Sequence, residues 1–295
     1  MMSDQDMPPD VEFRPRPHPL LPVEVVTRAQ IRDRADPDVL RVRHRHDFHQ
    51  LIVCERGEGV HHVDFEAIEM RPGRVLHVHP AQVHEYQFEP HFDACVVVYR
   101  ADLERVQTPG PEWFPGSDVP VQWDFDGDEF EEIRSSLADI HREQERFDGS
   151  VASVMLIESL LAVLLARIHQ HPGEAPDAAG VPEAYVRFCE FIEQHFRDRP
   201  TVAACARALG YSARTLDRAC HLAVGRSAKA VLADRVALDI RRLLTHTEVP
   251  ITRIGAAFGF TDPSSFSKFV KRHLGDAPTR LRWGDASGRS DRASR

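Results

Sequence analysis

Cysteine is scarce. The 295 residues hold five (54, 95, 189, 205 and 220), odd in number, scattered, and without a C-x-x-C pair. That pattern excludes a disulfide framework and predicts reduced thiols in a cytoplasmic protein. Long apolar runs are missing too. The most apolar stretch, Val151–Ile168, is interrupted by Glu158 and Arg167 and falls short of the roughly 20 apolar residues of a membrane span, which predicts no membrane partner. The opening Met1-Met2-Ser3-Asp4-Gln5-Asp6 is acidic and lacks an apolar core, so no secretory signal is expected. Net positive charge is also absent: 37 Lys/Arg against 46 Asp/Glu give −9. Taken as one number, that balance speaks against a nucleic-acid partner.

The single number hides a division. Residues 182–295 hold 20 Lys/Arg and 12 Asp/Glu, a balance of +8, whereas residues 1–181 hold 17 and 34, a balance of −17. Such asymmetry predicts a basic module that meets an anion, joined to an acidic module with another task. The switch coincides with the best linker, residues 172–181, rich in proline and glycine and without periodicity. Six prolines in residues 1–22 predict a flexible or extended arm, and residues 284–295 a flexible tail. Between 23 and 125 the pattern is short and β-like, with Val75, His77 and His79 alternating with Leu76 and Val78, and turns at Gly57-Glu58-Gly59 and Pro72-Gly73. Several short strands predict a barrel or sandwich. Over 126–171 the spacing turns helical, first through Phe130, Ile133, Leu137, Ile140 and Gln144, then through Val151, Met155, Leu161, Leu165 and Ile168. This segment is expected to pack on the strands and to contribute to a dimer seam.

Residues 182–283 contain an internal repeat. Val202, Cys205, Ala206 and Leu209 recur 49 positions later as Ile251, Ile254, Gly255 and Phe258, each set spaced as the buried stripe of a short helix. Gly210-Tyr211 matches Gly259-Phe260, where glycine permits a tight turn. Beyond it Leu216, Cys220 and Gly225 match Phe266, Val270 and Gly275. Ser212 and Asp262 are expected N-caps, and Pro263 suits a first helical position. Ser227–His246 reads as one long connecting helix. Burying the matched apolar residues leaves Arg214, Asp217, Arg218 and His221 outward in the first copy, and Ser264, Ser265, Ser267, Lys268 and Lys271 in the second. Arg and Lys can donate to guanine edges, and Ser can contact bases or phosphates. Arg272, Arg280 and Arg282 add charge suited to phosphate. A single copy could be a plain helical hairpin. Two copies in the only basic region point to double-stranded DNA, read in successive major-groove segments about 34 Å apart.

Ile251-Thr-Arg-Ile-Gly-Ala-Ala-Phe-Gly-Phe260, Asp262–Arg272, Gly275-Asp-Ala-Pro278 and Arg282 resemble the signature of AraC/XylS-type transcriptional regulators, over roughly 185–283. Gly255 stands where that family usually has Ala, a change expected to loosen its helix, and Cys220 where a large aromatic is common. The resemblance implies base contacts from Arg214, Asp217, Arg218, Ser264, Ser265 and Lys268. It also implies a homodimer that contacts RNA polymerase and answers to a small-molecule effector.

Thirteen of the 17 histidines lie before residue 182. His44-x-His46-x3-Gln50-x6-Gly57 resembles the first cupin motif, with Gln50 for Glu. Gly73-x5-His79-x-Ala81-x2-His84 resembles the second. The fold expected is therefore multidomain: a cupin-like β-barrel with a helical segment, followed by an all-α domain of two helix-turn-helix units. Three readings of the barrel stay open. One is an effector pocket built from His44, His46, Gln50, His77, His79 and His84, without cofactor or catalytic residue. A second is a divalent-metal cupin in which His44, His46, Gln50 and His84 are the ligands, either a sensor or an oxygenase or isomerase fused to a DNA-binding module. In the third the histidines are structural, as expected in any case for His49, His61, His62 and His91.

Overall fold

The computed structural model describes residues 10–16, 18–27, 30–31, 43–88, 91–101, 103, 121–171 and 182–284. The expected arm's first nine residues, the linker 172–181 and the tail beyond Gly284 lie outside that set. The chain divides into two compact units, which separate within residues 172–181.

The first unit is built on antiparallel sheets. Strands β1 (Asp10–Val11), β2 (Val23–Thr27), β3 (Arg45–His46), β4 (Phe48–Arg56), β5 (Gly59–Val63), β6 (Glu66–Met70), β7 (Arg74–Val78), β8 (His84–Phe88), β9 (Asp93–Arg100) and β10 (Val121–Asp124) precede two helices. Five strands form one sheet in the order β10-β7-β4-β9-β2, and three form a second, β6-β5-β8. Here the structure is more open than a closed barrel: the two sheets face each other, and an isolated antiparallel bridge ties His44, just before β3, to His84 at the start of β8. Ile52, Cys54, Leu76, Val78, Ala94 and Val96 pack between them against Val63, Ile68 and Met70. The opposite face of the five-stranded sheet carries Leu51, Val53, Val75, Val97 and Tyr99 and is covered by the helices. Because β4 and β9 are buried on both faces, their central residues 51–54 and 94–98 read as continuous apolar runs rather than alternating ones.

Helix α1 (Gly127–Glu145) turns Ile133, Leu137 and Ile140 to this face, and α2 (Val151–His169) turns Ile157, Leu161, Leu164, Leu165 and Ile168 to it. Gln144 completes the edge strand: its Oε1 accepts from the Val25 amide at 2.7 Å, and its Nε2 donates to the Val25 carbonyl at 3.3 Å. Arg167 joins the two helices by donating to Ser136 Oγ at 2.6 Å and to the Glu132 carbonyl at 2.9 Å. By length and composition α2 could cross a membrane, with a mean hydropathy of 2.1 over its best window. Its buried face packs on the sheet, while Val151, Met155, Leu156 and Val163 on other sides are exposed. The arm is anchored where it is described. β1 pairs in parallel with β3, the Phe13 amide donates to Asp47 at 2.8 Å, and Leu21 is buried.

The second unit is helical: α3 (Glu183–His195), a short 3-10 turn (Phe196–Asp198), α4 (Val202–Leu209), α5 (Ala213–Val224), α6 (Ala228–His246), α7 (Ile251–Ala257), α8 (Pro263–Leu274) and α9 (Pro278–Gly284). The repeat predicted from the sequence is present as α4–α5 and α7–α8. Gly210 and Gly259 take φ of 74° and 66°, and each turn is closed by the same bond, Tyr211 amide to Ala206 carbonyl and Phe260 amide to Gly255 carbonyl. Such six-residue closures need a left-handed residue, which glycine supplies without strain. Ser212 and Asp262 cap the second helices through the amides of Thr215 and Ser265. Gly255 also has a packing reason. A β-carbon there would lie 3.1 Å from Phe266 Cγ, so the missing methyl lets the second helix approach closely.

All five cysteines are buried, and burial pushes the Cys54 thiol up to about 11 and the Cys95 and Cys220 thiols up to about 12. They are inert thiols at neutral pH.

One buried cation organises the second unit. Arg235 on α6 is 1% exposed. Its Nε donates to Glu193 on α3 at 2.7 and 2.9 Å, its guanidinium lies 3.8 Å from the Phe196 ring centre, and Asp239 follows one turn later at 4.0 Å. Removing one partner of a buried pair strands the other without water. Arg235→Ala is expected to destabilise this unit by about 3–5 kcal/mol in chemical denaturation. A loss below about 1 kcal/mol would show that Glu193 and Asp239 are adequately solvated without it.

Candidate functional site

The helix-turn-helix copies present matched residues. At an offset of 50, Arg214 corresponds to Ser264 and Arg218 to Lys268. On α5, Arg214, Arg218 and His221 are exposed and Leu216, Ala219 and Cys220 buried. On α8, Ser264, Ser265, Ser267, Lys268, Lys271 and Arg272 are exposed and Phe266 and Val270 buried. Asp262 is held below the ordinary carboxylate range, first by the Ser265 side chain and then by its amide.

Three residues expected near DNA also have defined work inside the protein. Asp217 Oδ1 accepts from the Ala228 amide at 3.0 Å, at the start of α6. His221 Nδ1 lies 2.8 Å from the Asp217 carbonyl. Arg282, half-buried, donates through Nε to the Leu244 carbonyl at 3.3 Å near the end of α6, and burial lowers its pKa. The connector is held from both copies as well. Asp234 on α6 pairs with Arg226, just after α5, and lies 3.4 Å from His273 Nδ1 on α8.

In the first unit the six pocket candidates fall into two groups on opposite faces of one sheet. Register assigns them: Gln50 pairs with Val78 and Val98, while Leu51 pairs with His77 and His49 with Tyr99. Gln50 therefore faces the second sheet, together with His44, His46 and His84. The His44 and His84 rings lie 4.2 Å apart, those of His46 and His84 4.7 Å apart, and Tyr86 Oη donates to Gln50 Oε1 at 2.9 Å. His61, expected to be merely structural, joins this group, with Nε2 3.0 Å from His84 Nδ1. The alternation His61, Val63 on β5 was the available signal, since both point inward. His77 and His79 lie on the other face with His49, their ring centres 4.0 Å apart. His62 is half-buried and His91 exposed.

Burial makes three of the inter-sheet imidazoles, His46, His61 and His84, neutral. Desolvation, reinforced by His44, pushes His46 down to about 3 from 6.5, and burial followed by neighbouring imidazoles holds His61 and His84 well below that ordinary value. His46 Nδ1 is 2.6 Å from the Phe48 carbonyl, but His46 Nε2 and His84 Nε2, both buried, have no hydrogen-bond partner among the described residues. The donor set does not fit the divalent ion of a metal cupin. Gln50 Oε1 is engaged by Tyr86, and His44, His46 and His84 are not among the described residues whose ligand atoms gather within 4.8 Å.

These neutral rings make stability depend on pH. Above about 6.5 they are uncharged in the folded and unfolded chain alike. Below it the unfolded chain takes up protons that the folded unit refuses, so stability falls progressively toward the folded value of about 3. Each ring contributes a slope of up to about 1.4 kcal/mol per pH unit. Calorimetry of the full chain is expected to show the first unit's transition dropping between about pH 7 and about pH 5. A flat transition over that range would mean the rings are hydrated and titrate normally.

Comparison with known proteins agrees with this division. A model described as an AraC-like ligand binding domain matches residues 30–108, and one described as a helix-turn-helix domain matches 205–283, together more than half of the chain. The HTH-type transcriptional activator RhaS of Escherichia fergusonii is 25% identical over 250 residues, 83% of this chain and 88% of the relative. RhaS of Escherichia coli O1:K1 / APEC is 24% identical over 249 residues, 82% and 87% of the two chains. Among solved structures, fatty-acid-bound ToxT from Vibrio cholerae strain SCE256 aligns with a TM-score of 0.39 and 12% identity over 88% of this chain and 94% of its own. Sequence models, relatives and the duplicated, capped helix-turn-helix lead to one assignment: the chain belongs to the AraC/XylS-type transcriptional regulators, with an AraC-like ligand-binding domain ahead of its DNA-binding helices.

Proposed function

We propose that the second unit reads duplex DNA through α5 and α8, with Arg214 and Arg218 contacting bases in one half-site and Ser264, Ser265 and Lys268 in the other. Lys271 and Arg272 contact phosphates. The observation that carries this reading is the matched exposure of Arg214/Arg218 and Ser264/Lys268 on two helices tied to one connector. Asp217 and His221, carried on the same helix, act through position: Asp217 secures the start of α6 and thereby the separation of the two reading helices.

The inter-sheet histidine cluster is the proposed effector pocket. Two neutral, buried nitrogens, His46 Nε2 and His84 Nε2, suit a small molecule that brings a donor or acceptor to each, since a buried polar atom left unpaired costs about 1–3 kcal/mol. The effector regulates only by binding two states with different affinity. A compound that leaves DNA affinity, footprint and transcription unchanged is not it. The exposed apolar residues Met155, Leu156 and Val163 on α2 support a homodimer through this helix, and Met155→Lys is expected to lower the sedimenting mass to that of one chain. The activator names of the relatives support activation, and contact with RNA polymerase in the cytoplasm is the remaining part of the proposal.

Selection of bound genomic fragments followed by footprinting tests the reading. A sequence-specific site resistant to competitor DNA is expected, whereas equal affinity for all duplexes at matched salt would reduce the protein to a general DNA binder. Arg218→Ala is expected to cost about 1–3 kcal/mol and to relax discrimination at one base position. Uniform weakening across sequences would make Arg218 a phosphate contact instead.

A further inference from the structure

We propose that His49, His77 and His79 form a binding site for a first-row transition metal of the zinc class, on the helix-covered face of the five-stranded sheet. The site lies on the opposite face from the inter-sheet cluster and does not depend on the effector reading. Register creates it. Leu51 of β4 stands opposite His77 of β7, so one rung further along the same antiparallel pair His49 and His79 come side by side. On the other flank of His49 is Tyr99 of β9.

The three imidazoles bring one ligand atom each within 4.8 Å of the others, the one set of three histidine, cysteine or carboxylate donors so gathered among the described residues. His49 Nδ1 and His77 Nε2 are already 3.2 Å apart. A tetrahedral ion with nitrogens at about 2.1 Å spaces its ligands about 3.4 Å apart, so two donors are in place and only the His79 ring has to close. That ring is the least buried of the three. Its backbone is fixed, because the His79 amide donates to Gln82 Oε1 at 2.8 Å and Gln82 in turn donates to Asp64 at 3.2 Å.

The donor chemistry selects the ion. Three imidazoles, with neither carboxylate nor thiolate in the set, suit zinc, copper, nickel or cobalt and exclude calcium and magnesium, which require oxygen ligands. Three protein nitrogens leave a fourth position for water. Tyr99 borders the site: its ring stacks on His49 at 5.0 Å, and its hydroxyl, 3.1 Å from His77 Nε2, would turn from that nitrogen as it takes up an ion. An ion here would tie β4 to the turn leaving β7, on the face where α1 and α2 pack, and so give the first unit a second input besides its effector.

The test uses the full-length, tag-free chain stripped with a chelator and titrated with zinc, and with cobalt for its tetrahedral absorption bands. One equivalent per chain, a rise in the first unit's melting temperature and tetrahedral cobalt bands are expected. Outer-shell partners alone are worth about 10–100-fold in affinity, so His79→Ala and His77→Asn should weaken binding by at least about tenfold. His84→Asn and His44→Asn should leave it unchanged. Circular dichroism and the metal-free melting temperature check the fold, and His79→Ala in its half-buried turn decides the matter if His77→Asn does not fold. Absence of saturable binding, an unaffected His79→Ala chain, or loss of the ion in His84→Asn each overturns the site.

Discussion

Covering β4 on both faces is the constraint from which the first unit's chemistry follows. Successive side chains of a strand point to opposite sides, so Phe48, Gln50, Ile52 and Cys54 must face the second sheet while His49, Leu51 and Val53 face the helices. Neither side is open to water, and the rings of His46, His61 and His84 between the sheets are therefore desolvated. A charged imidazole is unfavourable there, and the rings persist as neutral donors and acceptors that pair with one another, with a backbone carbonyl or with a tyrosine. Clusters of neutral imidazoles are suited to polar ligands or soft ions and unsuited to holding anions by charge.

In the second unit a comparable role falls to α6. It is buried along most of its length, with Val231, Leu232, Val236, Ile240, Leu243 and Leu244 in the core, so its polar residues are costly unless each is satisfied. They are used as joints. Asp234 reaches toward both repeats, Arg235 fixes α3, and the two ends are held by Asp217 and Arg282. Polar connections of this kind are directional, whereas apolar packing alone would tolerate some sliding. Two reading helices that must meet successive grooves need that fixed separation.

The helical unit was far more legible in the sequence than the sheet unit. Helical periodicity, cap residues and glycine turns are local signals, and the repeat stated them twice; the connector expected at 227–246 is observed as Ala228–His246. Sheet faces are read from alternation, and along residues 51–54 of β4 and 94–98 of β9 alternation vanishes because both faces are buried in apolar surroundings. His77 and His79 could be placed together from their spacing, but their separation from His84 depends on the β4–β7 register, which no local signal encodes. The same hidden register keeps the places of His49 and His61 in the two clusters from showing in one dimension. The side-chain work of Asp217 and Arg282 was equally hidden, since an acceptor or donor for a helix end 11 or 38 residues away looks like a free surface charge in one dimension.

The charge of −9 can now be given its proper weight. At physiological ionic strength, charges farther than about 8 Å through solvent are largely screened, so a phosphate at the reading helices responds to its immediate neighbours and hardly to the chain total. Among those neighbours Arg214, Arg218, Lys268, Lys271 and Arg272 are exposed. The carboxylates nearby keep their charge but are held in place: Asp217 and Asp262 accept backbone amides, and Asp234 is paired with Arg226. What the recognition helices offer DNA is therefore set by where the exposed arginines and lysines stand, not by an excess over their composition. Net charge is a poor predictor of partner in a chain whose basic side chains are gathered on the exposed faces of two helices.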